Sequence, residues 1–280
     1  MRTLRTLLLS LPCALLVVAS AAGAVPRWVS LAPHLTELAF AAGAGDLLVG
    51  VSAYSDFPEA ARSLPRIGDA QRVDKERLLA LQPDLVLAWG SGTSPELTEW
   101  LRQRGIRVEV LEVRRLAEIP AALEELGRWA GTPGMASAAA ARFRARLAVL
   151  APAAGTVAPV RVFIELDHSP LFTVSGAHLI SEMVERCGGF NVFAGLPGLA
   201  PAVSLEAVMA AAPEVILYAG PEADPLAIWK RWPQIPAVRR GAVYAVPGDL
   251  VARPSVRALE GLAAICQALN QARGSEERVP

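Results

Sequence analysis

"DKERLLALQPDLVLAW" occupies Asp74–Trp89, and "SLEAVMAAAPEVILYA" occupies Ser204–Ala219. In each stretch an acid (Glu76, Glu206) stands seven residues before a proline (Pro83, Pro213). The proline is followed by another acid and a short apolar run. Asp74 and Ser204 are good helix N-caps, because their side-chain oxygens can accept the free N–H groups of a first turn. The runs "LVLAW" and "VILYA" are apolar at consecutive positions rather than alternating. That pattern predicts strands buried on both faces, as in a parallel sheet covered by helices. The chain therefore states a short helix followed by a buried strand twice.

The same rhythm extends outward from both copies. "RWVSLAP", "DLLVGVS" and "IRVEVLE" read as further strands of the first half. "HLTELAFAAGAG", "SPELTEWLRQRG" and "LAEIPAALEELGRWAG" read as its helices, with glycine stops and a serine cap before the second. In the second half "VRVFIEL", "NVF" and "GAVYAVPG" are strands. "HLISEMVERCGG", "DPLAIWKRW" and "SVRALEGLAAICQALNQAR" are helices. Between the halves, "TPGMASAAAARFRARLAVLAP" interrupts the alternation. Thr132 as cap, Pro133 at the first helical position and an alanine-rich body predict one helix from Pro133 to Leu150. The expected fold is α/β: two three-layer α/β lobes with parallel sheets joined by a single long backbone helix. Parallel αβ units resemble one another by patterning alone, so the repeat by itself leaves gene duplication open.

The chain divides into residues 1–24, a lobe over 25–131, a linking helix over 132–152 and a second lobe over 153–280. The first segment carries two arginines, an apolar stretch from Leu7 to about Ala19, and the small residues Ala22-Gly23-Ala24. This is the pattern of a secretory signal peptide with a cleavage site after Ala24. Its apolar stretch is shorter than the roughly 20 residues that cross a bilayer. Export places the mature chain in an oxidising compartment. Removal of Cys13 with the signal leaves Cys187 and Cys266, which most simply form one disulfide. Two buried free thiols are the alternative.

Composition excludes several functions. Hydrophobic residues make up 53% of the 280 positions and charged residues 19%, which is ample core material for a globular chain. The formal net charge is zero, so no basic field exists to hold nucleic acid. There is no G-x-S-x-G elbow, no glycine-rich phosphate loop and no H-E-x-x-H pair. The three histidines, His34, His168 and His178, are scattered and lack an evident carboxylate partner, so neither catalysis nor a bare-metal site is expected. Ligands of open α/β sheets bind beyond the carboxyl ends of the strands. Tyr54, Trp89, the "DHSPLF" loop and "GDLVAR" fall there. That collection suits a large, mostly apolar ligand oriented by a few hydrogen bonds. Singly, each has a plainer reading: core aromatics, or a structural Asp249–Arg253 pair across one helical turn.

"LAPHLTELAFAAGAGDLLVGVSAYSDFPEAA", "LLALQPDLVLAW", "CGGFNVFA" and "GDLVARPSVRALEGLAAICQAL" resemble the vitamin B12-binding branch of the periplasmic substrate-binding proteins, over essentially the whole mature chain. The resemblance implies the rigid class, in which one backbone helix joins two α/β lobes, and a Cys187–Cys266 bridge. It implies that Tyr54, Trp89 and Phe172 flank a corrinoid, and that Asp249 and Arg253 contact its amide edge. It implies that Glu76 and Glu206 dock an inner-membrane ABC importer permease dimer with its ATPase, and that the chain works as a periplasmic monomer, not an enzyme. The corrinoid is cargo; no resident cofactor is expected, and no side chain is expected to ligate its cobalt, since nothing in the sequence fixes His168 beside it. A B12 binder of this family has tryptophan where this chain has Ala70 and Ala200, so about 200 Å² of contact per ring is missing. Haem or a ferric siderophore is the alternative cargo.

Overall fold

The structure is a computed structural model and describes residues 25–70, 72–150, 159–220 and 224–276. Residues 1–24, expected to be a signal peptide, and the end of the linking region at 151–152 lie outside the described residues.

The first lobe contains β1 (Trp28–Ser30), α1 (Pro33–Ala41), β2 (Leu48–Val51), α2 (Lys75–Ala80), β3 (Leu85–Trp89), α3 (Pro95–Arg102), β4 (Arg107–Leu111) and α4 (Ile119–Ala130). The long helix α5 (Pro133–Leu150) follows. The second lobe contains β5 (Val160–Glu165), a hairpin of β6 (Asp167–His168) and β7 (Leu171–Phe172), α6 (Leu179–Arg186), β8 (Gly189–Asn191) and α7 (Leu205–Ala211). It continues with β9 (Val215–Tyr218), α8 (Pro225–Trp229), α9 (Pro236–Arg239), β10 (Val243–Ala245), α10 (Gly248–Val251) and α11 (Ala258–Glu276). Two details differ from the sequence reading. The strand expected at "NVF" sits two residues earlier, ending at Asn191, whose buried side chain instead bonds Val174 and Ser181. "DHSPLF", read as a loop, pairs with itself as the β6–β7 hairpin.

Each lobe has a four-stranded, all-parallel sheet. The orders are β2-β1-β3-β4 and β10-β9-β5-β8. Numbered within its own lobe, each sheet runs second-first-third-fourth, so the two lobes share one topology. The stretches Asp74–Trp89 and Ser204–Ala219 are the same unit of that topology: a short outer helix (α2, α7) leading into the third strand (β3, β9).

The consecutive apolar residues of these strands divide between two faces. In β3, Leu85 and Leu87 face the core shared with α1 and α4, while Val86 and Ala88 face α2 and α3. In β9, Val215 and Leu217 face the shared core and Ile216 the outer one, under α7 and α8. The inner faces of both sheets belong to one continuous cluster, which runs from Leu35 and Leu123 through Phe143 of α5 to Met183 and Leu262. Each fully buried Leu or Phe contributes about 1.5–3 kcal/mol, so a core crossing the lobe boundary resists hinge motion.

Local chemistry places α5. Gly131 ends α4 at φ 73°, a left-handed conformation that costs glycine nothing. Gly127 lets α4 and α5 touch; a Cβ there would lie 2.2 Å from the Ala136 methyl. The Thr132 hydroxyl, expected to cap α5, donates instead to the Ala42 carbonyl at 2.7 Å and so ties the start of α5 to the end of α1. Cys187, at the end of α6, is bonded to Cys266 of α11. Among the described residues no helix is long and apolar enough to cross a membrane.

Candidate functional site

The carboxyl ends of β3 and β4 open onto a groove whose far wall belongs to the second lobe. Trp89, Ser91, Glu112 and Arg114 line one side; His178 and Leu199 are among the residues of the other. Trp89 is half-buried and is fixed from three directions. Its backbone N–H donates to the Thr93 hydroxyl at 3.0 Å. The imidazole of His34 meets its ring edge-on at 5.3 Å. Gly92 lies against the ring so closely that a Cβ would come within 1.8 Å of Cε3. Trp89 is thus part of the core margin and part of the groove wall.

The first helix of each lobe starts with a histidine in this region: His34 at the second position of α1, in "APHL", and His178 as the N-cap of α6, in "GAHL". Both are neutral at ordinary pH. Burial, helped by the Arg253 charge, lowers the pKa of His34 to about 3. Burial lowers that of His178 to about 4. His178 Nδ1 accepts the Ile180 N–H, capping α6.

Beside His34 lies a charge cluster that the sequence did not disclose. Glu37, on α1, is 2% exposed. Its carboxylate accepts from Arg257 at 2.7 and 3.0 Å, from Ser255 at 2.6 Å and from Arg253 at 3.1 Å. All three donors belong to the second lobe. Arg253 also donates to Asp56 at 2.7 Å, and Arg257 to Asp249 at 2.8 Å. Burial would raise the Asp56 pKa, but the hydrogen bond and charge of Arg253 outweigh it and hold the carboxyl below its usual range. The Glu37 carboxylate in turn pushes the Arg257 pKa further up. Asp249 and Arg253 therefore do not pair with one another, as a one-turn ion pair would have; each takes a different partner. A second lobe-to-lobe bond runs the other way: buried Glu182 of α6 accepts the Leu116 N–H at 2.9 Å. The one signal in the sequence was an acid inside the apolar helix "HLTELAFAAG", a position a charge occupies only when paired.

The other expected residues fall in two groups, one on each lobe. Tyr54 is 73% exposed and takes φ 62°, a conformation that costs a bulky residue strain. It sits two residues before Asp56, the residue that bonds Arg253. Ala53 donates to the Gly68 carbonyl, which joins this loop to the turn that carries Ala70. On the opposite lobe Phe172 bridges Ala202, and Ser175 donates to Leu199, so the segments that carry Phe172 and Ala200 lie side by side. His168 does have a carboxylate partner: Nδ1 lies 2.8 Å from the fully buried Glu165, whose other oxygen accepts Trp229 Nε1 at 2.6 Å. Its ring packs on Trp229 and Trp232, on the face of the hairpin opposite Phe172.

Glu76 and Glu206 are both exposed, one in the first turn of α2 and one in that of α7. Those turns start from the carboxyl-end loops of the two sheets. Asp74 caps α2 by accepting Arg77 N–H at 2.9 Å, and Ser204 caps α7 by accepting Ala207 N–H at 3.2 Å. Its own backbone N–H and the Ser204 hydroxyl lower the Glu206 pKa. Among the described residues no group of three or more His, Cys, Asp or Glu side chains could hold a metal ion.

Two like α/β lobes, one shared core and a cleft at the strand ends define a two-lobed ligand-capturing protein. Residues 29–250 match the model of the periplasmic binding protein family, and the chain belongs to that family. It is 36% identical over 244 residues to a vitamin B12-binding protein of Vibrio parahaemolyticus, covering 87% of this chain and 89% of that one. The crystal structure of the periplasmic vitamin B12 binding protein of Vibrio cholerae matches with a TM-score of 0.81 at 36% identity, over 88% of this chain and 97% of that one. A periplasmic haem-binding protein of Pseudomonas aeruginosa matches with a TM-score of 0.72 at 27% identity, over 86% and 91%.

Proposed function

We propose that this protein captures cobalamin or a related corrinoid between its lobes in the periplasm and delivers it, chemically unaltered, to an inner-membrane ABC importer. The observation that carries the reading is Trp89: a large ring held by Gly92 and His34 on the wall of an inter-lobe groove, in a chain 36% identical to vitamin B12-binding proteins. In this reading Tyr54, Trp89 and Phe172 flank the macrocycle. Asp249 and Arg253 meet its polar edge with the donors and acceptors they do not spend on Arg257, Glu37 and Asp56. Ala70 and Ala200 leave the rims open for a bulkier or differently substituted corrinoid. Glu76 and Glu206, equivalent by topology, meet two basic groups of a two-fold permease, and the paired contacts reinforce each other. The 24-residue leader directs export.

Titration of the purified mature protein against cobalamin, cobinamide, haem and a ferric siderophore tests this, read as visible absorbance that co-elutes with the protein. Corrinoid binding much tighter than binding of haem or a siderophore is the expected result. Haem binding alone would replace the corrinoid reading with the alternative that the Pseudomonas haem-binding protein illustrates.

A further inference from the structure

The groove has a polar station that none of the expected residues accounts for. β4 ends at Leu111, and the next residues place Glu112 and Arg114 on the groove wall beside Trp89 and Ser91. Glu112 Oε1 accepts the Ser91 hydroxyl at 3.2 Å and lies 3.2 Å from Arg114 Nε. Its other oxygen rests over Gly90, where a Cβ would come within 2.5 Å of Oε2. Glycine at 90 is thus what lets the carboxylate lie across the strand end next to the tryptophan. The backbone beneath is pinned: the Arg114 and Arg115 N–H groups donate to Glu118 at 2.8 and 3.2 Å, and Leu116 to Glu182. The facing wall, with Ala177, Leu179, Leu199 and Pro254, is mostly apolar.

We infer that the Ser91–Glu112–Arg114 station reads the periphery of the bound macrocycle and selects carboxamide substituents over carboxylates. The inference rests on the corrinoid reading and deepens it. Corrinoids carry neutral amide side chains around the ring, whereas haem carries propionates. A primary amide presents both a donor and an acceptor, and the station offers the complementary pair. Glu112 accepts an amide N–H, and Arg114 donates to an amide oxygen. A carboxylate has no donor for Glu112 and is repelled by it. Arg114 alone would attract carboxylates; held by Glu112 its charge is neutralised. Exposure suits the role: the Glu112 side chain is 28% exposed and that of Arg114 53%, partly sheltered yet reachable from the groove.

The two partners make opposite predictions, which a merely structural ion pair would not. Cobinamide and haem are titrated separately against wild type, Glu112→Gln and Arg114→Gln, with melting temperature as the folding control. Glu112→Gln frees the arginine and is expected to shift the haem-to-cobinamide affinity ratio toward haem by about tenfold. Arg114→Gln leaves an unopposed carboxylate and is expected to shift that ratio the other way. Ratios that stay within twofold of wild type, or that move in the same direction in both variants, overturn the inference. Wild type that binds cobinamide with either of those outcomes leaves the corrinoid reading intact; wild type that binds no corrinoid overturns that reading and this inference with it.

Discussion

Glu37 and Arg257 hold each other across the lobe boundary through two hydrogen bonds, Nη2 to Oε1 at 2.7 Å and Nε to Oε2 at 3.0 Å, with the carboxylate fully buried. The geometry is bidentate, and Ser255 and Arg253 fill the remaining acceptor positions. A buried pair of this kind adds little over a well-packed apolar pair, but breaking it strands the surviving charge. Glu37→Ala is therefore expected to lower stability by about 3–5 kcal/mol in urea unfolding. The clasp and the common core also predict rigid lobes. Small-angle scattering should give the same radius of gyration for apo and corrinoid-loaded wild type, and a larger one for apo Glu37→Ala. A marked compaction of wild type on loading would contradict this picture and indicate a hinged protein.

Trp89 is expected to serve the ligand more than the core. Replacement by alanine should weaken corrinoid binding by about 1–3 kcal/mol, measured by titration, because the ring supplies stacking area on the groove wall. The melting temperature should fall only modestly, since the ring is only partly buried. Normal affinity with a large loss of melting temperature would make Trp89 a core residue.

Charge reversal at both Glu76 and Glu206 should abolish corrinoid uptake and the coupling of binding to ATP hydrolysis in reconstituted vesicles, with ligand affinity unchanged. Each acid lies in the first turn of an exposed helix, where a lysine also opposes the helix dipole. A small drop in melting temperature is therefore expected, and Glu206→Lys should account for most of it, since Glu206 also bonds its own N–H and Ser204. Uptake that survives in the double variant would reduce both acids to helix-stabilising groups.

Acid should destabilise the protein in a defined window. Well above pH 6.5 His34 and His178 are neutral in both folded and unfolded chains, so they contribute no pH dependence there. Below it the unfolded chain takes up protons at the ordinary histidine pKa, while the folded chain does so only near about 3 and about 4. Stability is thus lost as pH falls, at about 1.4 kcal/mol per pH unit for each histidine, until the folded state is protonated too. Asp56, held below the usual carboxylate range, adds to the loss at the acid end. Denaturant midpoints measured from pH 7.5 to 4.5 should stay level and then drop, and His34→Gln with His178→Gln should flatten the drop. A flat wild-type profile would mean that these histidines titrate normally.

Much of the fold was legible because its causes are local. Proline at 133, glycine at 131 and serine at 94 and 204 act within one turn, and each bounds a helix as expected. The consecutive apolar residues of β3 and β9 announced strands covered on both faces, and both lie inside parallel sheets. Of the residues that the strand-end rule picked out, Trp89 lies on the groove wall, while Tyr54 and the β6–β7 segment are not among its lining residues. The rule did not find Glu112 and Arg114, which read as an ordinary charged run after a strand. Nor did it find the partner of His168, because Glu165 looks like the polar end of β5 and Trp229, which donates to its other oxygen, comes from α8.

The sequence by itself determined the alternation of helices and strands, the two-lobe division and the two cysteines available for a bridge, because periodicity, caps and composition act over a few residues. Only the tertiary structure decided which charges meet. Glu37 and Arg253 stand 216 positions apart, and Asp249 turns to Arg257 rather than to Arg253, its neighbour one turn away. Those choices depend on how two separately patterned lobes dock through a common core. A buried carboxylate takes whichever donors that docking brings within reach, and desolvation makes the choice compulsory.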